Sequence, residues 1–224
     1  MATPKKVFVS YKYSDVVEGR VDKFNFRDKL IDELDGRGLV HKGEDNESFD
    51  LKDYKRDQII SKIHPFVKNS SITVVFITPN AIKSQWIPWE ISISLRKRTY
   101  DNEQNMTRNG IIGVYLPLDS NNIPVEFGGN YNFYKKLKSC GTITHFTSKF
   151  PNMIADNAFN LKNGAHTCGS GCCDSVYDSS TGSYIELVDW DTFIDDIDEY
   201  IDRAWKRREK FDNYNCRIKL NEGN

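Results

Sequence analysis

The chain has 224 residues, enough for one domain with an extension or at most two small domains. Hydrophobic residues make up 38% and charged ones 28%, and 31 Lys plus Arg offset 32 Asp plus Glu, so no global charge draws the protein to nucleic acid or an anionic membrane. No apolar run approaches the roughly 20 residues of a membrane helix, and Met1-Ala-Thr-Pro-Lys-Lys6 lacks a signal-peptide core, so the expectation is a cytoplasmic protein whose five cysteines are mostly reduced.

Val7-Phe-Val-Ser10 is a short strand pattern, and Tyr11 to Asp15 forms a polar, aromatic loop after it. From Val16 to Leu34 the apolar residues Val17, Val21, Phe24, Leu30, Ile31 and Leu34 recur at mostly helical spacing, with Gly36 and Gly38 as the stop. Leu39-Val-His41 is a weak strand, followed by an acidic loop from Lys42 to Asp53. Tyr54, Ile59, Ile60, Ile63 and Phe66 predict a second helix ending near Pro65. Ile72-Thr-Val-Val-Phe-Ile77 reads as a buried strand, broken by Pro79 and Asn80. A helix from Ser84, a good N-cap residue, to about Tyr100 follows, then a buried strand over Ile111–Leu116.

Beyond Pro117 the pattern loosens. Residues 119–140 predict a long loop with a short helix around Tyr131 to Lys138, and Thr142–Phe146 the last strand. Asn160 to Ser183 is rich in Gly, Ser and Cys and reads as an irregular excursion. Asp191 to Phe211 carries the stripe Phe193, Ile194, Ile197, Tyr200, Ile201, Ala204, Trp205 and predicts a closing helix, acidic at its start and basic at its end. Residues 5–150 are expected to form the domain, with 151–224 an extension packed on it. Strand and helix alternate four times in the first half, which implies a parallel sheet wrapped on both faces by helices. Right-handed crossovers put the loops after the strands on one edge. Tyr11–Asp15, Glu44–Glu47, Trp86–Glu90 and the segment after Leu116 converge there.

Ser84-Gln-Trp-Ile-Pro-Trp-Glu90 is the most informative stretch for function. Trp86 and Glu90 stand four residues apart, so indole and carboxylate share one helix face just past the end of a buried strand. Open α/β sheets place their ligand crevices there. A carboxylate beside an aromatic ring suits a flat, cationic ligand. The competing account is an exposed first-turn acid that complements the helix dipole while both tryptophans pack.

These residues carry a resemblance. Val7-Phe-Val-Ser-Tyr-Lys-Tyr-Ser-Asp15 resembles the first strand and loop of TIR domains, and Ile72–Pro79 followed by Ser84-x-Trp86-x-x-x-Glu90 resembles their third strand and next helix. The match is closer to the bacterial TIR-like family that includes the TIR subunit of Thoeris antiphage defence, given Asp15-Val16, Arg20-Val21 and the acidic pair Glu44-Asp45. It covers about residues 5–118. The resemblance implies an α/β, flavodoxin-like TIR fold: a mainly parallel five-stranded sheet flanked by helices. It also implies NAD as substrate with no cofactor, cleaved at the nicotinamide–ribose bond into an ADP-ribose-derived, cyclic messenger for a separate effector. Glu90 falls on the catalytic carboxylate, and Ser10, Tyr11, Tyr13, Asp45 and Trp86 on substrate-binding positions. Self-association through TIR surfaces completes the implied partners, with no nucleic acid and no membrane. The mostly acidic Lys42–Asp53 loop and Pro117 depart from enzymatic members and favour a different class, a TIR-like scaffold without catalysis.

His166-x-Cys168-x-x-x-Cys172-Cys173 holds soft ligands in one short segment, but lacks paired Cys-x-x-Cys spacing, and Cys140 or Cys216 would have to complete a site. An untied loop with reduced thiols and no metal is the expectation. Arg96-Lys-Arg98 and Lys206-Arg-Arg208 read as solvated helix ends, and His41, His64 and His145 receive no role.

Overall fold

The computed structural model describes residues 5–12, 25–37, 40–42, 56–97, 108–119 and 131–220. Five parallel strands form the central sheet in the order β2-β1-β3-β4-β7: β1 Lys6–Ser10, β2 Val40–Lys42, β3 Ile72–Ile77, β4 Gly110–Tyr115 and β7 Ile185–Asp189. Every residue of β3 and β4 is buried, as expected of a parallel sheet covered on both faces. Side chains alternate between the two cores. Val7, Val9, Val74, Phe76, Ile112 and Val114 face one way, against Phe26, Leu30 and Leu34 of α1 (Phe26–Gly36) and Ile197, Ile201 and Ala204 of α6 (Ile197–Glu209). Val75, Ile77, Ile111, Tyr115 and Ile185 face the other, against Ile87, Ile91 and Leu95 of α3 (Trp86–Leu95).

Helix α1 begins at Phe26, and residues 16–24 of the expected apolar pattern lie outside the described residues. Asn25 is extended and its side chain accepts from the backbone N–H groups of Arg27 (3.1 Å) and Asp28 (3.3 Å), which caps the helix at Phe26. Helix α2 (Arg56–Lys68) runs through Pro65 instead of ending there. The proline costs one backbone bond near the end of the helix, and Ile59, Ile63 and Val67 hold the last turns against Phe8 and Ile93. Helix α3 is shorter than expected and ends at Leu95. Ser84 caps it as expected, accepting from the N–H groups of Trp86 (3.2 Å) and Ile87 (3.3 Å). Pro88 sits in the first turn, where its missing N–H has no carbonyl to serve.

The second half departs further. Tyr131–Lys138 is no α-helix: a short 3-10 turn at Tyr131–Phe133 leads into β5 (Lys135–Leu137), antiparallel to β6 (Ile143–His145). The strand expected at Thr142–Phe146 therefore exists, but in a separate hairpin. The fifth strand of the main sheet is β7, which pairs with β4 through Ile111↔Ile185 to Tyr115↔Asp189. After the short α4 (Asn152–Ala155), residues 160–183 contain only isolated bridges, as the Gly/Ser/Cys-rich sequence suggests. The closing helix breaks at Asp196 (φ −126°, ψ 38°) into α5 (Trp190–Asp195) and α6. No helix among the described residues is long and apolar enough to cross a membrane.

Candidate functional site

All five strands run the same way, so Ser10, Ile77, Tyr115 and Asp189, each last in its strand, share one edge of the sheet. Helix α3 begins beside that edge. Its sequence is buried on nearly every face, including Ser92 and Ser94, so the helix has little rotational freedom. Ser94 donates to the Glu90 carbonyl at 2.9 Å and lies 2.8 Å from the Thr73 hydroxyl of β3, which pins the helix to the sheet. That placement brings the Glu90 carboxylate against Ser10, whose hydroxyl donates to Oε2. Both groups are buried, Ser10 at 1% and Glu90 at 5% exposure, and 80 residues of chain separate them. Glu90 is thus no exposed dipole partner. It is a desolvated carboxylate with a fixed hydrogen bond at the carboxyl edge of the sheet.

The aromatic residues divide between the two faces. Trp86, one turn before Glu90, is half-buried with Trp89 and Phe66 against Phe8, Ile59, Ile63, Val67 and Ile93. Tyr11 packs on the opposite core, its ring 6.3 Å from Phe76. The structure joins Ser10 to Glu90, sets Trp86 on the same helix face, and carries Tyr11 to the far side of β1. Tyr13, Asp45, Asp15, Glu44 and the rest of the acidic loop lie outside the described residues.

The same edge holds groups to which sequence patterning assigned nothing. Lys135 of β5 pairs with Asp189 at the end of β7, and the Tyr115 hydroxyl lies 2.8 Å from His145 Nδ1 at the end of β6. Tyr115 stacks on Tyr134 at 5.0 Å and on His145 at 6.1 Å. The hairpin is therefore docked on the sheet edge beside β4 and β7. Burial, aided by the Lys135 charge, pushes the His145 imidazole down to about 4. A neutral ring lets Nδ1 accept from Tyr115. The linkage has a definite sign. The unfolded chain binds this proton near pH 6.5 and the folded one only near 4, so the contribution is complete above about 6.5 and declines as pH falls toward 4. Between pH 7 and pH 5 the wild type is expected to lose on the order of 1–2 kcal/mol that His145→Gln does not lose. Urea unfolding at both pH values reads this, and equal losses would clear His145.

The profile of the Thoeris protein ThsB TIR-like domain matches residues 8–121, just over half of the chain. Among solved structures, the TIR domains of the activated Roq1 resistosome, which directly recognises the pathogen effector XopQ, are similar at 19% identity and a TM-score of 0.34. That alignment covers 51% of this chain and 59% of the other, less than two thirds of its length. The matched segment contains the last three residues of β1, all of β2 to β4, and both Ser10 and Glu90. This chain therefore belongs to the family of the Thoeris protein ThsB, TIR-like domain.

Proposed function

We propose that this protein is a cytoplasmic, NAD-consuming TIR enzyme of bacterial antiphage immunity. It cleaves the nicotinamide–ribose bond and makes an ADP-ribose-derived, cyclic messenger that activates a separate effector. The observation that carries this is the buried Glu90 carboxylate, held by Ser10 at the carboxyl edge of the sheet. When the bond between the ribosyl carbon and the nicotinamide nitrogen breaks, its electron pair leaves with the ring, which departs neutral. The ribosyl carbon is left oxocarbenium-like. A low-dielectric carboxylate nearby stabilises that charge or holds the ribose hydroxyls, and no metal or strong base is needed. Trp86 supplies an aromatic surface on the face that carries Glu90, suited to the cationic ring of the bound substrate. Water attack on the carbon gives ADP-ribose, whereas a hydroxyl or ring nitrogen of the same molecule gives a cyclic product where water is excluded. Self-association through TIR surfaces is part of the proposal, as the means of closing the site.

The same hydrogen bond supports a second reading, a scaffold in which Ser10–Glu90 merely ties α3 to β1 and signalling runs through self-association. Nucleotide mass spectrometry of phage-infected cells separates the two. An ADP-ribose species that appears on infection only when the chain is present is the expected result. Unchanged NAD and no such species, with the protein folded and defence intact, would establish the scaffold.

A further inference from the structure

The structure brings Cys140 to three thiols that are clustered about thirty residues further along the chain. The sulfur atoms of Cys140, Cys168, Cys172 and Cys173 all lie within 4.8 Å of one another. Cys168 and Cys172 are 3.6 Å apart, Cys172 and Cys173 3.7 Å, and Cys140 and Cys173 4.0 Å. A disulfide needs about 2.05 Å, and all of these cysteines are free. Zinc binds thiolate at about 2.3 Å, so the edge of its sulfur tetrahedron is roughly 3.8 Å. The observed separations bracket that length, and the group leaves room for a single ion. We propose that Cys140, Cys168, Cys172 and Cys173 form a structural, four-thiolate zinc site that ties the β5–β6 turn to the loop over residues 160–183.

Two chain reversals deliver the ligands. Cys140 lies in the turn that joins β5 to β6, closed by Lys138 N–H to the Thr142 carbonyl at 2.8 Å. The other three sit at the tip of a narrow ribbon closed by the reciprocal His166–Val176 bonds of 2.9 and 2.8 Å and by Cys168 N–H to the Cys173 carbonyl at 3.1 Å. Within that tip Gly171 has φ +69°, which a side chain would resist, and its N–H reaches the Cys168 carbonyl at 2.8 Å. His166, beside Cys168 in sequence, serves the ribbon bridge and is not among the clustered ligands. Cys216 lies elsewhere, 3.5 Å from the Asn160 amide.

The surroundings suit thiolates. The Thr142 hydroxyl is 3.0 Å from Cys140 Sγ and 3.3 Å from Cys173 Sγ. The Ser170 hydroxyl is 3.2 Å from Cys172 Sγ and 3.3 Å from Cys168 Sγ. Lys138 Nζ is 3.2 Å from Cys173 Sγ, a cation placed to offset the net negative charge of four thiolates on one dication. Such outer donors orient and tune metal ligands. The loop also needs an anchor: from Leu161 to Thr181 only Cys168 is buried. A segment with so little apolar burial holds one shape through staples rather than through a core.

The test uses the full chain, purified under reducing conditions. Elemental analysis is expected to give close to one zinc per chain. Reloading with cobalt(II) is expected to give the intense visible bands and sulfur-to-metal charge transfer of a tetrahedral four-thiolate ion. Cys172→Ser with Cys173→Ser should weaken metal binding at least tenfold, while Cys216→Ser keeps it. The cobalt spectrum of the wild type needs no variant to fold. Chelation should speed protease cleavage within residues 160–183 and leave the far-ultraviolet spectrum of the sheet intact. Absence of both zinc and cobalt uptake overturns the proposal. So does iron in place of zinc, a disulfide among the four thiols, or equal loss of metal in Cys216→Ser.

Discussion

Glu90→Gln is expected to lower NAD cleavage at least about 100-fold, the size of effect seen when a fixed electrostatic group is removed from a transition state. Glutamine keeps the shape of the side chain, and its amide oxygen can still accept from the Ser10 hydroxyl that holds Glu90. What disappears is the negative charge facing the ribosyl cation. The loss should fall on kcat, because a charge that matters most in the transition state contributes little to ground-state binding. Ser10→Ala should produce a smaller fall, since the carboxylate keeps its charge and loses only a partner that positions it. A variant with the same melting temperature as the wild type and no turnover supports catalysis by Glu90. Equal turnover in both proteins would reduce Glu90 to a tie between α3 and β1.

Glu186→Ala carries the largest expected cost in stability. Glu186 sits on β7 at 3% exposure and receives Arg203 at 2.7 Å and Arg207 at 2.6 Å, both from α6. Arg207 is itself buried, at 5% exposure, and its Nε and Nη2 find no partner among the described residues. Its remaining bond runs from Nη1 to the Ser180 carbonyl at 3.0 Å. Removing Glu186 leaves a guanidinium in the core with its charge uncompensated, and breaking such a pair costs about 3–5 kcal/mol. Arg207→Met should cost clearly less, because Glu186 retains Arg203 and the methionine fills apolar space. Urea unfolding of the two variants measures the asymmetry. A Glu186→Ala protein within about 1 kcal/mol of the wild type would show that water reaches Arg207 and relieves it.

The inner strands β1, β3 and β4 were legible because they are apolar runs between strong breakers, as at Pro79-Asn80, and a parallel sheet buries such runs on both faces. The capped start of α3 was legible for the same local reason: Ser84 precedes a helix whose first turn tolerates Pro88. The last strand was not. Ile185-Glu-Leu-Val-Asp189 carries two acids in five residues, and Glu186 enters the core only because Arg203 and Arg207 arrive from the following helix. Of the β5–β6 hairpin only β6 was legible, and β5 escaped because Lys136 and Leu137 are exposed, leaving no alternating apolar face to read.

The candidate site divides in the same way. Spacing alone put Trp86 and Glu90 on one helix face, since that relation is set by the 3.6-residue turn. The burial of Glu90, its bond to Ser10 across 80 residues and the separation of Tyr11 from Trp86 were decided by which core each side of the sheet faces. Cys168, Cys172 and Cys173 were visible as one local group, whereas Cys140 joins them only where two chain reversals meet. Local chemistry and periodicity determined the inner strands, the capped helix and its carboxylate. Tertiary structure decided which distant groups share a desolvated space, because desolvation and ion pairing depend on every neighbour and not on the adjoining residues alone.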